Sequence, residues 1–342
     1  MGSIALYTKY RPSDFASVRG QEHVVSVLKS SVENGRIAHA YLFAGGRGTG
    51  KTSMARILAD ALCVSHEDMY EIDAASNRQV EAARELREGV ATSPFKSKYK
   101  FYILDEVHML TKEAFNTLLK TLEEPPAHVL FVLATTELDR VPDTIQSRCQ
   151  VFNFKKPSHE ILKAMVLDVA KKEGAVLSSA SAELVALMGD GSFRDTLGIL
   201  QKVLASGMKP TDEDVSRTIG APRGALVGEC LYALACGNAG AAIIPLHNAL
   251  EDNADVKTFV MLLVARARAV LLLRYAPVMK EKIAEQFGDD VVTQLAQLAG
   301  KDGVRINAAM LATLIGVLLE INRAPIPQIP LEIAIIKMCE VN

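Results

Sequence analysis

The sequence predicts an α/β domain built on a parallel, doubly wound sheet, followed by a region that is helical throughout. Three observations carry that prediction. Up to about residue 155, short apolar runs alternate with stretches whose apolar residues recur every three or four positions, the pattern of strands joined by crossover helices. One junction, residues 45–52, reads Gly-Gly-Arg-Gly-Thr-Gly-Lys-Thr, a complete G-x-x-x-x-G-K-[ST] loop of the kind that holds phosphate. From Ser158 onward, strand signal almost disappears.

Each element follows from its residues. Ala40-Tyr41-Leu42-Phe43-Ala44 reads as a buried strand centred on Tyr41 to Phe43, and the run from Ser53 to Leu62 after the loop has helical spacing. Tyr70 to Ile72 is the next short strand. Phe101-Tyr102-Ile103-Leu104, four apolar residues in a row, suits a strand buried on both faces, and it ends in Asp105-Glu106. A helix from about Thr111 must stop at Glu123-Glu124-Pro125-Pro126, because the first proline biases the residue before it away from helical geometry. Val129 to Leu133 and Val151 to Phe154 complete the strands. Right-handed crossovers place helices on both faces of such a sheet. Helical periodicity then runs to about Leu204, breaks at Gly207 to Pro210, and resumes from about Ala221 to Val341.

The loop and the acidic strand end form one chemical unit. Gly45, Gly48 and Gly50 permit positive φ, so that with Gly46, Thr49 and Ser53 the backbone can surround phosphate oxygens at the positive end of a helix. Lys51 is expected to reach the β- and γ-phosphates of ATP. Thr52 and Asp105 supply hard oxygens for Mg²⁺, and Glu106 is placed to polarise an attacking water. The competing readings are a glycine-rich turn and an acidic cap on the next helix. Neither explains why strand, loop, helix and acidic pair occur together.

Composition sets the frame. A chain of 342 residues that is 49% hydrophobic exceeds a single comfortable core. The net charge of −2 leaves nucleic-acid contact to a local patch or to a surface shared with other subunits. Cys63, Cys149, Cys230, Cys236 and Cys339 are odd in number and scattered, which reads as reduced core thiols in the cytoplasm. No signal peptide or membrane span is expected. The apolar stretches Phe259 to Val264 and Ala269 to Leu273 are interrupted by Arg266, Arg268 and Arg274.

Several further motifs occur in combination: Tyr7-Thr8-Lys9-Tyr10-Arg11-Pro12, Gly20-Gln21-Glu22, Asp73-Ala74-Ala75-Ser76, Asp105-Glu106-Val107-His108-Met109-Leu110, Leu119-Lys120-Thr121-Leu122-Glu123-Glu124-Pro125-Pro126 and Ser147-Arg148-Cys149. With them the chain resembles the clamp-loader AAA+ ATPases of bacterial DNA polymerase III, densely through residue 205 and more weakly to Ile335. The resemblance implies a AAA+ α/β domain at 1–157, a helical lid at 158–219 and a helical, oligomerising collar at 220–342. It implies that Tyr10, Arg11, Pro12 and Val18 lie against adenine and ribose, that Thr136 is sensor 1, and that Arg194 is sensor 2 on its own subunit's nucleotide. Arg148 matches the arginine finger that serves a neighbouring subunit. The implied function is an ATP hydrolase that opens a sliding clamp and loads it onto primer-template DNA, within a hetero-oligomer expected to be a pentamer and without a membrane partner.

Two departures from the family pattern alter the expectation. Relatives usually carry a four-cysteine zinc module before the second strand, whereas here Cys63-Val64-Ser65-His66-Glu67-Asp68 runs directly into Met69-Tyr70. One cysteine and one histidine cannot close a tetrahedral site, so no zinc is expected. Asn77-Arg78-Gln79 stands where the family is often more basic, leaving Arg78 as the candidate for DNA contact. Ending near residue 342, the chain is expected to lack the tail of longer members, as either a short form or a piece of a longer protein. The rival readings are another AAA+ DNA-remodelling machine of the branch-migration type, a small-molecule P-loop kinase and a non-catalytic scaffold. The last would be expected to have lost Lys51 or the acidic pair.

Overall fold

A computed structural model describes residues 4–75, 89–301 and 303–340. Ser76 and the segment Asn77-Arg78-Gln79 lie outside the described residues. The chain divides into two compact units, Met1–Ala164 with Gly189–Gly198, and Met165–Met188 with Ile199–Asn342.

The first unit is built on strands β1 (Ala40–Gly45), β2 (Met69–Asp73), β3 (Lys100–Asp105), β4 (Val129–Thr135) and β5 (Gln150–Phe154). They form a five-stranded sheet in the order β2-β3-β4-β1-β5, parallel at every pairing. All the expected strands are present, at or slightly beyond their expected bounds. Alternation of side chains splits the sheet's residues between two cores. Tyr41, Phe43, Phe101, Ile103, Leu130 and Val132 pack with Val24 and Leu28 of α1 (Glu22–Glu33) and with Met54, Ala55 and Leu58 of α2 (Lys51–Ala61). Ala40, Leu42, Tyr102, Leu104, Phe131 and Leu133 pack with Phe115, Leu118 and Leu122 of α3 (Lys112–Glu123). Helices therefore cover both faces, which is why β3 and β4 are apolar without alternation.

Local signals set the ends of α3. The Thr111 hydroxyl accepts a hydrogen bond from the Ala114 N–H at 3.2 Å, and Glu124, the residue before Pro125, leaves helical geometry at φ −128°, ψ 69°.

The second unit is helical. The expected break follows the helix Phe193–Ala205, and the next helix, Asp212–Ile219, opens on a capping box in which the side chains of Thr211 and Asp214 each satisfy the other's backbone N–H. The later helical block resolves into Gly224–Ala235, Ala239–Glu251, Val256–Tyr275, Lys280–Phe287, Asp289–Gly300, Ala308–Glu320 and Ile329–Glu340, around one core reaching from Val227 to Ile335. Both interrupted apolar stretches lie within Val256–Tyr275. No helix among the described residues is long and apolar enough to cross a membrane.

The cysteine expectation needs correction. Cys230 is buried, but Cys63 and Cys236 are exposed. Cys236 is the residue that ends its helix, and Cys63 follows the end of α2 with φ 56°. Each stands where the chain leaves a helix and turns outward, so helical periodicity no longer aims its side chain at the core.

Candidate nucleotide site

The C-terminal ends of β1, β3 and β4, adjacent in the sheet, bring the predicted residues together, where open α/β sheets receive ligands. Gly45 at the end of β1 leads into the loop, which closes at Gly50, and α2 begins at Lys51. Gly45, Gly48 and Gly50 have φ of 151°, 69° and 104°. Their reasons differ. A Cβ on Gly48 would come within 1.9 Å of Ser192 Oγ and 2.9 Å of Ser192 Cβ, so a neighbouring segment fixes that glycine. A Cβ on Gly50 would meet nothing within 4 Å, leaving open space beside the first turn of α2, whose backbone N–H groups lack helical partners.

Lys51 is buried, and its Nζ donates to the carbonyl oxygens of Gly45 (2.8 Å) and Gly46 (2.9 Å). Burial pushes its ammonium below the ordinary lysine range, while the nearby Glu106 and Asp105 carboxylates oppose that shift. The Thr52 hydroxyl donates to Asp105 Oδ2 at 2.7 Å, and Asp105 Oδ1 accepts from the Glu106 N–H at 2.9 Å. A threonine hydroxyl and a carboxylate in contact beside a phosphate loop are the donor set Mg²⁺ prefers, so the residues fit the ATP and Mg²⁺ that the loop implies. Glu106 is the first residue beyond β3, and its Oε2 accepts from the Thr136 hydroxyl at 2.9 Å. Thr49 anchors the loop internally, its hydroxyl donating to Gly46 O at 2.9 Å.

The N-terminal segment is held by its own contacts. Val18 packs against the core that contains Phe43 and Met54. Arg11 is pushed below the ordinary arginine range by burial first and then by the charge of Arg56 and of Arg194. The Arg194 guanidinium lies 5.1 Å from the centre of the Tyr7 ring, within cation–π distance. Tyr10 follows a single helical turn, Leu6–Lys9, and precedes Pro12. Arg148 is engaged elsewhere, with Nη2 2.8 Å from Glu123 Oε1 and Nη1 donating to Thr144 O at 2.8 Å.

Sequence reasoning missed three braces. Gln21 is buried, donates through Nε2 to Lys155 O at 2.7 Å, and accepts the Lys155 N–H at 3.1 Å. The Phe193 N–H donates to Gly48 O at 3.0 Å, so the segment carrying Arg194 is fastened to the loop. His108 stands against Glu106. Gln21 and His108 fall inside quoted motifs, but the Gln21 contact joins positions far apart in the chain, and no periodic spacing reports a contact across the left-handed turn from Glu106 to His108.

The family model described as DNA polymerase III, delta subunit, matches residues 20–77 and 63–158. Among curated proteins, the DNA polymerase III subunit gamma/tau of Mycobacterium tuberculosis H37Rv is 36% identical over 326 residues, covering 88% of this chain and 56% of that protein. The DNA polymerase III subunit tau of Bacillus subtilis 168 is 34% identical over 364 aligned positions, covering 99% of this chain and 63% of that protein. The chain thus spans more than half but less than two thirds of the length of these relatives. Among solved structures, the Thermotoga maritima RuvB Holliday junction branch migration motor matches with a TM-score of 0.51 at 18% identity, covering 85% of this chain and 90% of that one, a likeness of fold alone. The parallel sheet, the helical remainder and this neighbour agree on an α/β P-loop domain with an all-α region. Together with the gamma/tau sequences, they make the chain a AAA+ protein of the DNA polymerase III gamma/tau type.

Proposed function

We propose that the chain hydrolyses ATP as a clamp-loader subunit, opening a ring-shaped sliding clamp and placing it on primer-template DNA. The observation that supports this most is the pairing of Thr52 with Asp105 and of Thr136 with Glu106 at the end of one phosphate loop, in a chain of gamma/tau type. In this reading Lys51 leaves the carbonyls of Gly45 and Gly46 for the β- and γ-phosphates, and the loop N–H groups of Gly45 to Ser53 bind phosphate oxygens. Thr52 and Asp105 hold Mg²⁺, which neutralises charge on the phosphates when bound. Glu106 accepts a hydrogen bond from the attacking water, with Thr136 as sensor 1 fixing that carboxylate. Tyr10, Arg11, Pro12 and Val18 receive adenine and ribose, and Arg194 leaves Tyr7 for its own subunit's phosphates.

In this reading the chain comprises an α/β domain at 1–157, a lid at 158–219 and a collar at 220–342. Arg148 acts in trans on a neighbour's nucleotide within a cytoplasmic hetero-oligomer, a pentamer in this reading, because an arginine that stabilises transition-state charge at an interface is useful only in an assembly. No zinc takes part. ATP binding favours the assembly that holds clamp and DNA, and hydrolysis releases them, a shift between two populated states.

Two variants test the catalytic part. Lys51→Ala is expected to abolish nucleotide binding, and Glu106→Gln to retain binding while nearly stopping turnover, measured by equilibrium nucleotide binding and phosphate release. Undiminished turnover in Glu106→Gln would remove the role given to that carboxylate.

A further inference from the structure

The histidine three residues beyond Asp105 has contacts that the proposed chemistry does not yet use. The His108 side chain is 6% exposed and lies between two carboxylates, with Nδ1 3.4 Å from Glu106 Oε2 and Nε2 3.3 Å from Glu137 Oε1. Nδ1 is also 3.1 Å from Thr135 Oγ1. That hydroxyl donates its single proton to Glu137 O at 3.1 Å and accepts the Glu137 N–H at 3.0 Å. Toward His108 it is left only to accept, which assigns the donor role to Nδ1. The Nδ1 proton is thus directed at the Thr135 hydroxyl, with Oε2 of Glu106, the oxygen that accepts from Thr136, 3.4 Å from the same nitrogen, and Nε2 meets Glu137 Oε1 attractively when it too carries a proton. Oε1 takes no hydrogen bond among the described residues.

The backbone of Glu106 is also constrained. At φ 49°, ψ 46° it is left-handed, a conformation that a non-glycine residue holds only where its surroundings enforce it. On the far side of the ring Glu137 is itself engaged, with Oε2 3.0 Å from Arg140 Nε at the surface. A chain of contacts thus runs from the surface to the carboxylate at the end of β3. A histidine that merely filled this space would need neither carboxylate.

We propose that His108 is a positioning residue for hydrolysis: with Thr136 it pins Oε2 of Glu106 so that Oε1 is presented to water, and Glu137 fixes the orientation of the ring. The proposal rests on Glu106 being the water-orienting carboxylate. A general base acts only from the right place, and a displacement of about 1 Å can lower a rate by about 100-fold.

The test uses the full chain in its assembled complex, comparing His108→Leu, His108→Asn and Glu137→Ala, each alone and combined with Glu106→Gln. His108→Leu is expected to lower kcat by about 10- to 100-fold while KM and nucleotide affinity stay within about twofold. His108→Asn, which keeps a donor near Oε2, should recover part of the loss. None of the three should lower the residual turnover of Glu106→Gln further, because the carboxylate they position is gone. If kcat survives His108→Leu while Glu106→Gln abolishes it, the positioning role is overturned. Losses that multiply in the Glu106→Gln background overturn it too, since they mark a structural effect. Wild-type turnover in Glu106→Gln would instead refute the reading of Glu106 on which the proposal stands. Should His108→Leu fail to fold, Glu137→Ala, at a half-exposed side chain, decides: a kcat loss confined to chains with Glu106 supports the role, and an unchanged kcat refutes it.

Discussion

Asp68 illustrates how a single side chain can organise a junction. Its fully buried carboxylate accepts the N–H groups of Lys96 (2.9 Å) and Ser97 (2.7 Å) through Oδ2 and that of Phe95 through Oδ1, and it takes the Ser65 hydroxyl at 3.0 Å. Burial raises its proton affinity, but the hydrogen bonds from Phe95, Lys96 and Ser97 outweigh burial and hold the carboxyl far below the usual range. A carboxyl depressed in the folded state stabilises the protein above its unfolded value, near about pH 4, and that contribution fades as pH falls below it. Asp68→Asn is therefore expected to cost about 1–3 kcal/mol at pH 7, where backbone donors lose a charged acceptor, and less at pH 3. Urea unfolding at the two pH values checks this, and an equal loss at both would refute it. At this scale the sequence was legible in where a motif places its residues, as with Lys51, Thr52, Asp105 and Glu106, which the structure brings together. It was silent on Asp68, Gln21 and His108, because Phe95, Lys155 and Thr135, which help to hold them, lie 27 to 134 residues away.

The connection between α2 and β2 is short. After α2 ends at Ala61, one 3-10 turn, His66–Asp68, delivers the chain to β2. Cys63 is exposed in it, and no group of three or more His, Cys, Asp or Glu side chains is disposed to hold a metal ion among the described residues. Elemental analysis of protein purified without chelator is expected to find less than about a tenth of an equivalent of zinc, the level of adventitious binding. A stoichiometric signal that survives dialysis, and whose removal lowers Tm, would overturn that expectation. The strands were readable because burial on both faces demands unbroken apolar runs such as Phe101 to Leu104. Strand ends were less so, since Lys100 looks like a solvated residue yet is buried, its Nζ donating to Gly89 O at 2.8 Å and to the Thr92 hydroxyl at 2.6 Å. Cys63 and Cys236 misled for a related reason: composition says that cysteines prefer cores, but it does not say where a helix stops.

For the whole molecule, the expectation that divides rival readings concerns Arg148. Its pairing with Glu123 occupies it within the free chain. In a working assembly it would exchange that partly exposed ion pair, worth about 1 kcal/mol or less, for a neighbour's phosphate. Arg148→Ala should leave the isolated chain's nucleotide affinity within about twofold and lower turnover only in the complex. Mixing Arg148→Ala with Lys51→Ala chains should restore part of it, wherever an intact loop meets an intact arginine. Full-rate hydrolysis by the isolated monomer would exclude the trans role. The sheet order also bears on how such chains differ in length. Because β2 is an edge strand and pairs in the sheet only with β3, a segment added or removed just before it leaves the pairing of β1, β3 and β4 unchanged. Each doubling of that loop costs only about 0.6 kcal/mol of closure entropy. The rim beside β2 is thus a splice point at which related lineages can acquire or shed a peripheral module while the hydrolytic groups stay in register.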